Sequence, residues 1–84
     1  MTDLEYDVMD ELYFVTPFNQ LRSTLELEEQ ELRNILQSLL QKNWIKCYVD
    51  HTEEILPHEV DFTHHYQEYF YLATKEGLLA HNGR

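Results

Sequence analysis

Four histidines, His51, His58, His64 and His65, share one polar stretch with Glu54, Glu59 and Asp61. Imidazole and carboxylate groups are the side chains that hold zinc or nickel, and imidazole also responds to pH near neutrality. A metal site needs ligands that converge, usually with a tight pair such as His-x-x-x-His on a rigid element. In an extended strand the neighbouring His64 and His65 point to opposite faces, and the other spacings are irregular. No metal is therefore expected, nor any other cofactor. A pH response is the milder reading, because charging all five histidines would move the formal net charge from −10 to −5.

A second set of polar residues has spacing suited to nucleic acid. Gln30, Arg33, Asn34, Gln37 and Gln41 fall on the polar side of one amphipathic segment, with Lys42 and Lys46 just beyond. Asn and Gln can read adenine edges and Arg can read guanine, while lysines meet phosphate. An ordinary solvated face opposite a leucine stripe has the same pattern. Tyr66, Tyr69 and Tyr71 form a third set, of which Tyr69 and Tyr71 alternate with Phe70 and Leu72. If Phe70 and Leu72 face the core, part of this tyrosine cluster is exposed, and exposed aromatics are enriched at protein interfaces. Cys47, between Ile45 and Val49, reads as a core thiol. There is no Gly-rich phosphate loop and no nucleophile motif, and the carboxylates follow helix-surface spacing, so no enzyme is expected.

The elements that must position these residues are legible from periodicity. Thr2-x-x-Glu5 has capping-box spacing, and Leu4, Val8 and Leu12 follow as a helical stripe widened by Met9. Thr16-Pro17 predicts an N-cap followed by the first position of a second helix, with Phe18, Leu21 and Leu25 inward. Glu26-Leu27-Glu28 is a turn without Gly or Pro. Leu32, Ile35, Leu36, Leu39 and Leu40 form a full amphipathic stripe for a third helix, opened by Glu28, Glu29 and Glu31 and closed by Lys42 and Asn43. The period then changes to two, with Ile45, Cys47 and Val49 on the apolar side of a strand. Val60 and Phe62 suggest a short extra strand, Tyr69–Ala73 a firm one, and Thr74 a cap for a last helical turn containing Leu78 and Leu79. Trp44 is expected in the core.

Composition limits the partners. Eighty-four residues with 43% hydrophobic side chains make one small domain, residues 1–84, without repeats or linkers. The 16 acids against 6 lysines and arginines would repel phosphate backbones and anionic membranes. No apolar run approaches the roughly 20 residues that span a bilayer. One cysteine cannot make an internal disulfide, and the start of the chain is acidic where a targeting peptide would be basic. A cytoplasmic protein is expected.

Three helices followed by a two-stranded hairpin with a long loop is an α+β plan that resembles the winged helix-turn-helix domain of bacterial transcriptional regulators. The resemblance rests on Leu21-x-x-x-Leu25-x-Leu27, on Leu32-x-x-Ile35-Leu36-x-x-Leu39, on Lys42-Asn43-Trp44-Ile45, and on Tyr69-Phe70-Tyr71-Leu72-Ala73-Thr74-Lys75-Glu76-Gly77. It spans roughly residues 4–80, with Asn43 where the family usually has Gly. It implies that residues 28–42 form the recognition helix and 50–68 a long wing. DNA-binding members carry basic wing residues, whereas this wing holds Asp50, Glu53, Glu54, Glu59, Asp61 and Glu68 and no lysine or arginine. The expected function is thus regulatory protein–protein interaction, with a protein partner or a second copy of the chain. Candidate contacts are Tyr66, Tyr69 and Tyr71 together with Glu53, Glu54, Glu59 and Asp61. DNA binding through the third helix is the alternative, and an acidic surface that imitates DNA is a second one.

Overall fold

The computed structural model describes residues 1–83. Three helices come first: α1 (Asp3–Asp10), α2 (Phe18–Leu25) and α3 (Glu29–Gln41). A two-residue strand β1 (Thr16–Pro17) lies between α1 and α2, and β2 (Ile45–Tyr48) and β3 (Phe70–Ala73) follow α3. The long β2–β3 connection holds a single 3₁₀ turn at Pro57–Glu59 and a one-turn helix α4 (Phe62–His65), and α5 (Lys75–Asn82) closes the fold. The architecture is α+β, with helices packed on a three-stranded antiparallel sheet of order β1-β3-β2.

The local signals at the helix ends work as their chemistry requires. Thr2 and Glu5 form a reciprocal capping box. Asn43 takes a left-handed φ of 61°, and the Trp44 and Asn43 N–H groups bond back to the carbonyls of Leu39 and Leu40. These two bonds satisfy carbonyls that the end of α3 would otherwise leave orphaned. Glu26 makes the α2–α3 turn in the same way, with φ 54° and the Leu27 N–H bonded to Arg22 O. The chain thus breaks between helices without Gly or Pro, at the modest cost of a left-handed non-glycine residue.

Several expectations are corrected. Thr16 is a strand residue: it pairs with Tyr71, and its hydroxyl donates to the carbonyls of Phe14 and Glu11 rather than capping α2. Pro17 is accommodated because β1 is an edge strand, where its missing donor costs little. Leu4, placed in the helical stripe, is exposed, whereas the capping-box residue Glu5 is only 3% exposed. Val49 lies outside the sheet and is exposed. Val60 and Phe62 form no strand; Phe62 begins α4, capped by the Asp61 carboxylate, so His64 and His65 are helical neighbours.

The largest correction concerns β3. Its partners across the ladder are Ile45 for Ala73 and Cys47 for Tyr71, and residues directly opposed in an antiparallel pair share a face. Because Ile45 and Cys47 point into the core, Tyr71 and Ala73 must do so too, and Tyr69 with them. Phe70 and Leu72 take the half-buried outer face. The core gathers Val8, Met9 and Leu12 of α1 and its following turn, Phe18 and Leu21 of α2, and the α3 stripe Leu32, Ile35, Leu36 and Leu39. Leu40 and Trp44 pack against its margin.

α5 is seated on α1 at Gly77. A β-carbon there would collide with the Trp44 carbonyl oxygen and with the Met9 methyl group. In an open helix Gly→Ala gains roughly 1 kcal/mol, but forced overpacking costs about 1–3 kcal/mol. With the backbone oxygen of Trp44 in the way, Gly77→Ala is expected to lower the stability measured by urea unfolding, by up to about 2 kcal/mol.

Candidate functional site

The outer side of α3 carries the residues suited to base reading, and the structure divides them into two groups. Gln30, Asn34 and Gln41 are exposed, with Gln30 bonding to Asn34 along the helix. Glu29, Arg33 and Gln37, one turn apart, face the β2–β3 connection, which folds back against α3. Tyr66 donates its hydroxyl to the Glu29 carboxylate at 2.7 Å, and this hydrogen bond pushes the phenol pKa up. The Arg33 guanidinium lies 5.5 Å from the centroid of the Tyr66 ring and 5.7 Å from that of Phe62, and it also reaches Gln37. A cation over aromatic faces is a favourable arrangement in its own right.

The other candidate cations are also held within the fold. Lys42 is 2.8 Å from the Glu5 carboxylate and 4.9 Å from the Trp44 ring centroid. Lys46 pairs with Glu54 at 3.2 Å beside the Tyr48 ring. Burial is the largest single influence and would lower the Lys46 pKa, but the hydrogen bonds and charges of Glu54 and Tyr48 together outweigh it and raise the value. Arg22, on α2, donates to the Leu27 carbonyl. Arg22, Arg33, Lys42 and Lys46, the cations near α3, thus each have an internal partner.

The acids of the connection are turned the other way. Glu53, Glu54, Glu59 and Asp61 are all exposed. The connection is nevertheless well ordered by hydrogen bonds. Asp50 gathers the backbone N–H groups of Thr52 and Glu53, which lower its pKa, and Tyr48 bridges to Glu54. Asp61 caps α4 and contacts His64 at 3.0 Å, whose hydrogen bond holds the Asp61 pKa below the usual carboxylate range. Among the described residues, no three His, Cys, Asp or Glu side chains converge on a point that would hold a metal ion.

The tyrosines are placed differently from the sequence reading. Tyr71 is fully buried and Tyr69 is 8% exposed, so neither can offer a side chain to a partner; Tyr66 is half-buried. Buried phenols need hydrogen-bond partners. Tyr71 donates to Tyr66 O at 2.7 Å, and the Tyr69 oxygen accepts the Asp61 N–H at 2.9 Å. Both therefore act as internal anchors for the connection. Cys47 is buried as expected, and burial pushes its thiol up to about 12.

Two polar clusters on α1 escaped the sequence reading. Glu5 accepts from Thr2 N–H, Ser38 Oγ and Lys42 Nζ, tying α1 to the C-terminal half of α3. His81, 5% exposed, stacks on Tyr6 at 4.1 Å and bonds Asp10 through Nε2 at 2.6 Å and Tyr13 through Nδ1 at 2.9 Å, joining α5 to α1. Capping-box spacing marks Glu5 as a helix-start residue but says nothing of its burial. The spacing of Leu78 and His81, one turn apart on α5, is the sole signal for the other.

No family model matches this chain, and no curated protein or solved structure matches it. No helix among the described residues is long and apolar enough to cross a membrane.

The Glu5 cluster gives a measurable pH dependence. Burial would raise this carboxyl, but the Lys42 ammonium, the Thr2 N–H and the Ser38 hydroxyl together hold it at about 2, against an ordinary 4.5. A carboxylate depressed in the folded state contributes stability that is present above its unfolded pKa and lost as pH falls through the folded one. The urea midpoint should therefore drop between about pH 5 and pH 2. Glu5→Gln is expected to flatten that limb and to cost about 2 kcal/mol at neutral pH.

Proposed function

We propose that the chain is a winged-helix module that acts in regulation by binding a partner protein through the acidic β2–β3 connection. Support for the fold family comes from the order of elements. A helix, a short strand, two helices and then two strands, with the first strand pairing to the last, is the plan expected of a winged helix. In that reading α3 stands where DNA-binding members place the recognition helix, and the connection is the wing.

The observation that carries the choice of partner is the state of the cations. Arg33, Lys42 and Lys46 each have an internal partner, Glu54 being that of Lys46, while Glu53, Glu59 and Asp61 are exposed along the connection. Useful affinity for a phosphate backbone needs several free cations or donors, and α3 offers mainly Gln30, Asn34 and Gln41. Exposed carboxylates on an ordered connection instead complement a basic protein surface, giving electrostatic steering and register. Fold resemblance alone does not decide function, so the assignment rests on these side chains.

Mixed-sequence duplex DNA titrated at low salt and followed by anisotropy is expected to show no saturable binding, for the wild type and for Arg33→Glu alike. Saturable binding that weakens steeply with salt and is lost in Arg33→Glu would overturn the reading in favour of a DNA-binding regulator. Cross-linking in cells, followed by mass spectrometry, is expected to join Glu53 or Glu59 to lysines of a second protein. Links that avoid the connection would overturn the assigned surface.

A further inference from the structure

The connection folds back beside α3 and leaves a cavity of about 300 Å³ between itself, α3 and β2. Leu40 of α3 and Ile55, Val60 and Phe62 of the connection supply apolar walls. Three successive strand residues, Ile45, Lys46 and Cys47, also line it. Their side chains alternate, Ile45 and Cys47 entering the core and Lys46 turning to Glu54 on the other face. A space that all three touch therefore runs along the edge of β2 rather than over either face.

That edge carries main-chain groups without a partner. Along an antiparallel ladder, alternate residues turn their N–H and C=O groups to opposite sides. Thr74 N–H donates to Trp44 O, and Lys46 stands opposite Leu72 two residues on. Lys46 therefore bonds toward β3, whereas Ile45 and Cys47 turn their main-chain groups to the open side. There the chain returns beside β2, with Val49 N–H donating to Glu53 O and Ile55 N–H to Cys47 O. The pairing ends at that point, because the chain leaves through Leu56 into the 3₁₀ turn at Pro57, which has no N–H to continue it. Among the described residues no group bonds the Cys47 N–H or the Ile45 carbonyl. Both residues are almost wholly buried, so these groups face the cavity and not bulk solvent. A buried donor and acceptor of this kind are groups that folded proteins nearly always satisfy.

We infer that the cavity is a binding site for a neutral, flat, ring-sized molecule with a hydrogen-bond donor beside an acceptor on one edge, as in a lactam, the donor on the Ile45 carbonyl and the acceptor on the Cys47 N–H. Apolar walls around a few placed polar groups are the usual makeup of such a site, and this volume lies at the lower end of their range. Among the described residues no carboxylate lines the space, and the Lys46 ammonium is engaged by Glu54 on the far face, so the lining favours an uncharged occupant. Asn43 at one end and Pro57 at the other limit the free edge to the stretch from Ile45 to Cys47. That length suits one small ring better than an added peptide strand.

The test titrates the full chain with isoquinolin-1-one, a lactam, and with isocoumarin, which has the same shape but a ring oxygen in place of the N–H. Calorimetry is expected to give one-to-one binding of the lactam, about tenfold tighter than isocoumarin, the margin of one hydrogen bond to a group otherwise unpaired. The Cys47 amide proton should move downfield as the lactam is added. Val60→Trp, which fills the space, should weaken both probes. Absence of saturable binding, equal affinity for the two probes, a Cys47 amide unmoved at saturation, or undiminished binding by folded Val60→Trp would overturn the proposal.

Discussion

A tyrosine in the middle strand of the sheet has to bury a hydroxyl, and much of the molecule is arranged around that requirement. Tyr71 is the largest fully buried side chain, facing Cys47 across the ladder. An unsatisfied hydroxyl in such a place would cost several times what a hydrogen bond gains. Its partner is the carbonyl of Tyr66, and the neighbouring Tyr69 oxygen takes the Asp61 N–H. Both bonds reach back into the β2–β3 connection. They hold it beside α3, where Phe62 and Tyr66 meet Arg33 and Tyr66 meets Glu29. A connection rich in acids, which could have projected into solvent, is thus fastened to the helix next to it. The Arg33 guanidinium is engaged by the rings of the same connection.

Charge is used economically in the same way. A strongly acidic chain has few cations, and the structure places Lys42 on Glu5, the one buried carboxylate among the described residues. That carboxylate also receives Thr2 N–H and Ser38 Oγ, so the desolvation of Glu5 is offset by several donors rather than by one. Most of the remaining acids stay wet, where their mutual repulsion is screened, and Glu11 and Glu29 are half-buried. The result is a surface of nearly uniform sign around an interior whose few polar side chains are fully partnered; among the described residues no buried side-chain nitrogen or oxygen lacks a hydrogen bond.

What the sequence revealed depended on how local the responsible physics was. The stripe of Leu32, Ile35, Leu36 and Leu39, the capping box at Thr2 and the terminator Asn43 are settled within one or two helical turns, and all three were legible. The face of β3 was not. Tyr-Phe-Tyr-Leu-Ala is apolar on both sides, and only the pairing of Tyr71 with Cys47 decides which side is inward. The candidate interface shrank for that reason, losing Tyr69 and Tyr71 to the core while its acids stayed exposed. Thr16 misled because a hydroxyl before proline suits a helix start as well as an edge strand, and the deciding partner lies far along the chain. Glu5 and His81 are buried by contacts with Lys42 and with Asp10, which no periodicity within one segment can report.

The strand order has a consequence for the route by which the chain reaches this structure. β1 belongs to the first quarter of the chain and β3 to the last, and their pairing completes the sheet. The turns and helices α1–α3 can form from contacts close in sequence, whereas the Thr16–Tyr71 rung closes a loop containing most of the molecule. The entropy of that closure has to be met before the rung returns anything. A two-residue strand adds little by itself, and the neighbouring Ala73 N–H bond to Leu12 O closes a loop of similar length, so the two form together. Destabilising the β1 edge should therefore register in how fast the native state opens rather than in how fast it first assembles.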